Sequence, residues 1–140
     1  MVMRYFNIKE GSKSANGSVV AVDTSARPQD RLKSFDNLYA LSLIYDNGNF
    51  QKYRVSGKSY IVGSERVAAP GLAARSIPGV PIGDDAVKPF VLEVNREGSL
   101  EARVNRPGSK VFVSEINEKE ALKQKDEAER WLMTQELVAG

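Results

Sequence analysis

The stretch LYALSLIYDNGNFQKYRV, residues 38–55, decides the fold. Its first eight residues are apolar on both faces, as suits a central strand covered front and back. Asp46-Asn47-Gly48-Asn49 then breaks the run with residues that tolerate positive φ, which a tight hairpin turn needs. FQKYRV, residues 50–55, returns antiparallel. With Asn47-Gly48 at the turn centre, Tyr45 faces Phe50, Leu43 faces Lys52 and Leu41 faces Arg54. Directly opposed side chains share a face. Tyr39, Tyr45, Phe50, Lys52 and Arg54 are therefore expected on one side of the sheet.

Further strands flank this hairpin. Ser56-Gly57 allows another tight turn into KSYIV (58–62), so the reading is a three-stranded meander. Upstream, VMRYFNI (2–8) and SVVAV (18–22) read as strands separated by the turn-rich GSKSANGS (11–18). TSARPQDRLKS (24–34) reads as a connection with one helical turn after Pro28. Downstream, PFVLEV (89–94) and SLEARV (99–104) flank the loop Asn95-Arg96-Glu97-Gly98. Pro107-Gly108 fits a type II turn leading into KVFV (110–113), a second meander. The expected fold is mainly β, an antiparallel sandwich or partly open barrel of seven to eight strands with one C-terminal α-helix.

Two segments stand apart from the β pattern. Residues 63–86 carry Pro70, Pro78 and Pro81 with four glycines, which excludes a regular helix or central strand. Leu72, Ile77, Val80 and Ile82 give this arm surface that prefers burial, and a neighbouring subunit is the expected site. Residues 114–140 form the terminal helix. Asn117 with Glu120 three residues later resembles a capping box. The middle of the helix is polar and its end is apolar, with Trp131, Leu132 and Leu137. It is expected to cross solvent and anchor by its last turns on a neighbouring copy. The body thus comprises residues 1–113 and the helix 114–140.

Composition limits the chemistry. The chain has 140 residues, no cysteine and no histidine, with Lys+Arg 20 against Asp+Glu 18. Disulfides, thiolate nucleophiles and His- or Cys-based metal sites are excluded, as is a Ser-His-Asp relay. Gly57-Lys58-Ser59 resembles the end of a phosphate-binding loop, yet Lys52 stands where the motif needs its first glycine. Asp84-Asp85 lacks the further carboxylates of a calcium shell. Asn16-Gly17-Ser18 matches a glycosylation acceptor, but no secretory signal precedes it. No catalytic residue, cofactor or metal is expected, and no apolar run is long enough to cross a membrane.

Two functions fit these features. The first is a non-catalytic structural protein that assembles as a homo-oligomer, such as a small virion component of the capsid-decoration or head-to-tail type. The second is a single-stranded nucleic-acid-binding module, using the aromatic-basic hairpin face extended by Arg103, Arg106 and Lys110. Charge distribution bears on the second: residues 1–113 hold 16 basic and 11 acidic side chains, and residues 114–140 hold 4 and 7. A cytoplasmic or virion location follows from either function.

Overall fold

The computed structural model describes residues 3–10, 17–57, 59–62, 65–68, 90–103 and 111–139. Among the described residues, ten strands precede one helix. They are β1 (Met3–Glu10), β2 (Ser18–Asp23), β3 (Leu32–Ser34), β4 (Tyr39–Asp46), β5 (Phe50–Gly57), β6 (Ser59–Val62), β7 (Glu65–Ala68), β8 (Phe90–Asn95), β9 (Leu100–Arg103) and β10 (Val111–Ile116). The helix α1 spans Glu118–Ala139, and a single 3-10 turn covers Pro28–Asp30. Eight strands form two four-stranded antiparallel sheets, ordered β10-β1-β2-β3 and β4-β5-β8-β9. β3 lies beside β4 at one edge and β9 beside β10 at the other, without joining the ladders. The result is a β-sandwich that approaches a partly open up-and-down barrel.

Alternation along the strands builds the core. Phe6 and Ile8 of β1, Val20 and Val22 of β2 and Leu32 of β3 face inward from the first sheet. Tyr39, Tyr53, Val55, Phe90, Leu92, Val94 and Leu100 meet them from the second. A polar contact closes one seam. Arg4 of β1 donates through Nε and Nη2 to both carboxylate oxygens of Glu115 on β10, at 2.9 and 2.7 Å. Its Nη1 reaches the carbonyl of Glu97 and the hydroxyl of Ser99 in the β8–β9 loop. The other seam is held by Asp36, a buried carboxylate that accepts from Ser18 Oγ and from the backbone N–H groups of Val19 and Leu38.

The ladders correct both expected meanders. β6 does not continue the β4–β5 sheet. It pairs with β7, and β5 takes β8 as its second neighbour, with Tyr53 opposite Leu92 and Val55 opposite Phe90. β8 wins because its alternating Phe90, Leu92 and Val94 complete the inner face that Tyr53 and Val55 begin. β10 likewise leaves β9 and pairs with β1. The arm expected to lack regular structure begins with a strand, Glu65–Ala68, because its first proline, Pro70, comes only afterwards. The remainder of the arm, including Leu72, Ile77, Val80 and Ile82, lies outside the described residues.

The helix also departs from expectation. It does not cross solvent: it packs on the outer face of the first sheet, against β1 and β2, and also reaches β6. Ala121 and Ala128, seven residues apart and hence on one face, are fully buried. Two alanines look too slight to anchor a helix, yet their small size lets the backbone approach the sheet closely. Asn7 Nδ2 donates to Gln124 Oε1 at 2.5 Å, and the Lys125 ammonium sits 4.9 Å from the Phe35 ring centroid. The N-cap half of the expected box forms, with Asn117 Oδ1 accepting from the Glu120 N–H at 2.8 Å, while Glu120 Oε1 accepts from Gln124 Nε2 at 3.2 Å. The side chains of Trp131, Leu132 and Leu137 lie outside the described residues. No described helix is long and apolar enough to cross a membrane.

Candidate functional site

The β4–β5 hairpin sets the geometry of the most chemically distinctive surface. Its turn is displaced by one residue from the expected Asn47-Gly48. Asn47 N–H donates to the Phe50 carbonyl at 3.3 Å, which leaves Gly48-Asn49 as the turn pair. Gly48 has φ +86 and Asn49 has no positive φ, so glycine holds the first central position, as in a type II′ turn. Asn47 Oδ1 fastens the turn from inside by accepting from the N–H groups of Asn49 and Phe50.

A bulge follows on β4. Tyr45 pairs with Lys52 but Leu43 pairs with Tyr53, so Ile44 is an extra residue on one strand. This changes which side chains share a face. On the tip side of the bulge, Tyr45 stays with Phe50 and Lys52. Beyond it the parity reverses, and Leu41 opposes Val55 instead of Arg54. Tyr39 therefore points into the core, 1% exposed, with its ring edge-on to Phe90 at 5.9 Å. It does not belong to the outer surface on which it was expected. Ile44 and Tyr45 are each 47% exposed.

The outer face of this sheet gathers Tyr45 from β4, with Phe50, Lys52 and Arg54 from β5. Tyr45 and Phe50 have ring centroids 5.6 Å apart and planes tilted by 33°. The Lys52 ammonium lies 5.6 Å from the Tyr45 centroid and 5.7 Å from that of Phe50. An exposed cation–π contact of this kind contributes about 0.5–1 kcal/mol. β8 and β9 extend the same face with Glu93, Glu101 and Arg103. Glu93 stands opposite both Lys52 and Glu101 in the ladders. Arg103 bridges the two carboxylates, its Nη2 3.2 Å from Glu101 and its Nε 3.9 Å from Glu93.

The structure thus brings together Tyr45, Phe50, Lys52, Arg54 and Arg103 among the expected site residues. Arg106 and Lys110 lie outside the described residues. Glu93 and Glu101 carry no motif in the sequence, although the alternation Val91-Glu93-Asn95 against Phe90-Leu92-Val94 places Glu93 opposite the core. Ile44 was not foreseen, because a bulge leaves no composition signal.

A second feature lies behind the hairpin tip. Gln51, 1% exposed, accepts from Arg31 Nη1 at 2.7 Å and donates through Nε2 to Asp46 Oδ1 at 2.8 Å. Asp46 also accepts from the Gly48 N–H, and these two donors hold its carboxyl below the usual carboxylate range, the Gln51 amide foremost. Tyr53 OH donates to the Pro28 carbonyl. Burial pushes its phenol up from its ordinary value. The hairpin that carries the aromatics is therefore tied to the 3-10 turn and to Arg31, its C-cap.

Elsewhere, a shallow depression of about 450 Å³ is lined by Met3, Arg4, Tyr5, Glu115, Ile116, Asn117 and Glu118. Its strongest charges, Arg4 and Glu115, neutralise each other. Among the described residues no three carboxylates converge as a metal site. No protein-family model, curated protein or solved structure matches the chain.

Proposed function

We propose that the protein is a non-catalytic binding module that holds single-stranded nucleic acid on the outer face of the β4-β5-β8-β9 sheet. One observation carries this reading: two adjacent aromatic rings and a lysine share an exposed sheet face. Bases stack on aromatic rings whatever their sequence, at about 1–3 kcal/mol per base. Lys52 rests over both rings in the free protein. A base that takes the ring face displaces the ammonium toward a phosphate, which is the stronger partner for a cation. Arg54 lies two residues further along the same face and offers a second phosphate contact.

The electrostatic part of this binding is small. Arg103 is engaged by Glu101 and Glu93, so roughly two phosphates are neutralised and log K falls with log salt by a slope of about −1.4. Anisotropy titration of a labelled single-stranded oligonucleotide tests the reading. Tyr45→Ala with Phe50→Ala abolishes most of the affinity, whereas Lys52→Ala with Arg54→Ala flattens the salt slope. Binding that ignores both pairs refutes it.

A second reading, assembly as a homo-oligomer in a larger structure such as a virion, draws support from Leu122, which is 50% exposed on the helix surface facing away from the sheet. Light scattering with and without the oligonucleotide separates the two: a monomer that gains mass only with oligonucleotide supports the first.

A further inference from the structure

The charge layout of the outer face divides it in two. Tyr45, Phe50, Lys52 and Arg54 lie on β4 and β5, whereas Glu93, Glu101 and Arg103 lie on β8 and β9. Glu93 and Glu101 are directly opposed, an arrangement that like charges disfavour. Arg103 is the one described cation bridging them, so the described residues of β8 and β9 leave this half of the face one net negative charge. On the reading of the face as a nucleic-acid site, we infer that Glu93 and Glu101 make it selective for single strands over duplex by confining the ligand to the β4–β5 ribbon.

The distances support this. Neighbouring strands are spaced about 4.8 Å apart, so β8 and β9 lie roughly 5 and 10 Å from β5. A duplex anchored on Lys52 and Arg54 carries its second backbone across a groove about 6 or 12 Å wide. Either groove sets those phosphates over the row of Glu93 and Glu101. A single strand has no second backbone. It runs along the hairpin from Arg54 to the tip, four residues or about 13 Å, and meets Glu93 alone, one strand away opposite Lys52, while Glu101 lies a second strand off, at about a Debye length.

The test compares Glu93→Gln with Glu101→Gln, made together, against the wild type. The probes are a labelled mixed-sequence DNA strand of about 12 nucleotides and the duplex it forms with its complement. Removing two carboxylate–phosphate repulsions at roughly 5 Å in water raises duplex affinity about tenfold. Single-strand affinity rises only about threefold, because Glu93 alone stands beside the strand and Glu101 lies at about a Debye length. All the altered side chains are at least partly exposed, and a thermal melt verifies the fold. Adding Arg103→Gln leaves the gain in place if the carboxylates themselves exclude duplex. A gain that vanishes with Arg103 overturns the inference, since the freed arginine then did the binding. Unchanged duplex affinity beside intact single-strand binding overturns the inference alone. A wild type that binds no single strand overturns it together with the proposed function.

Discussion

The buried amide of Gln51 spans two elements that the chain brings together from 20 residues apart, accepting from Arg31 and donating to Asp46. It stands on the inner face of β5, between Phe50 and Lys52 on the outer one. Gln51 thus ties the hairpin tip, through Asp46, to Arg31, which caps the 3-10 turn just ahead of β3. Gln51→Met keeps the volume but removes both hydrogen bonds and leaves the part-buried Arg31 without that acceptor. A bond to a charged group contributes about 1.5–3 kcal/mol, so the variant is expected to lose about 2–3 kcal/mol in urea unfolding. A loss within about 0.5 kcal/mol, the range of an ordinary surface substitution, contradicts this role.

Three carboxylates make the acid response predictable. Asp46 is held low by the Gln51 amide and the Gly48 N–H, Asp23 by the Ser25 hydroxyl and N–H, and Glu115 by its hydrogen bonds from Arg4. Each folded-state pKa lies below its unfolded value, about 3.9 for Asp and 4.3 for Glu. The stability they contribute is therefore fully present above that range and is lost as pH falls through the lower folded values. The melting temperature is expected to stay level from neutral pH to about 5 and to drop below about 4. Asp46→Asn shallows the acid limb without moving the neutral plateau by more than a small amount. An acid limb of unchanged steepness in that variant excludes Asp46 as a contributor.

The parts of the fold that were legible were those written as local pattern. Asn117 announced the helix cap, Pro28 the 3-10 turn, and the alternation in FVLEV the inner face of β8. What escaped was the choice among partners of similar pattern. KSYIV and FVLEV both alternate or run apolar, and nothing local says that β5 pairs with the second after a long insertion. β3, at three residues, is too short to show a period. At the candidate site the composition of the face was readable, but Tyr39 was misplaced by a single extra residue at Ile44. A one-residue bulge inverts every side chain beyond it and costs the sequence no distinctive letter. In the sequence Gln51 resembles any strand glutamine, because only the fold brings Arg31 and Asp46 to its amide.

The helix supplies the last prediction. Ala121 and Ala128 are fully buried against the outer face of the first sheet, while Leu122, beside Ala121 in sequence, is half exposed. The burial pattern inverts what residue size alone suggests, since the larger apolar side chain is outside. A leucine at Ala121 or Ala128 must either force the helix off the sheet or shift the side chains beneath it. Such overpacking typically costs about 1–3 kcal/mol. Leu122→Lys, by contrast, is expected to stay within about 0.5 kcal/mol. Because the alanine contacts are made within one chain, the melting temperature of Ala128→Leu should fall by the same amount at every protein concentration. Trp131→Ala is the informative companion, since Trp131 lies on the following turns of the same helix. A concentration-dependent melting temperature in the wild type that disappears in Trp131→Ala assigns the helix end to a second copy and favours assembly. A concentration-independent loss in both variants assigns the whole helix to its own sheet, and leaves the open face of β4-β5-β8-β9 as the surface on which the protein meets its ligand.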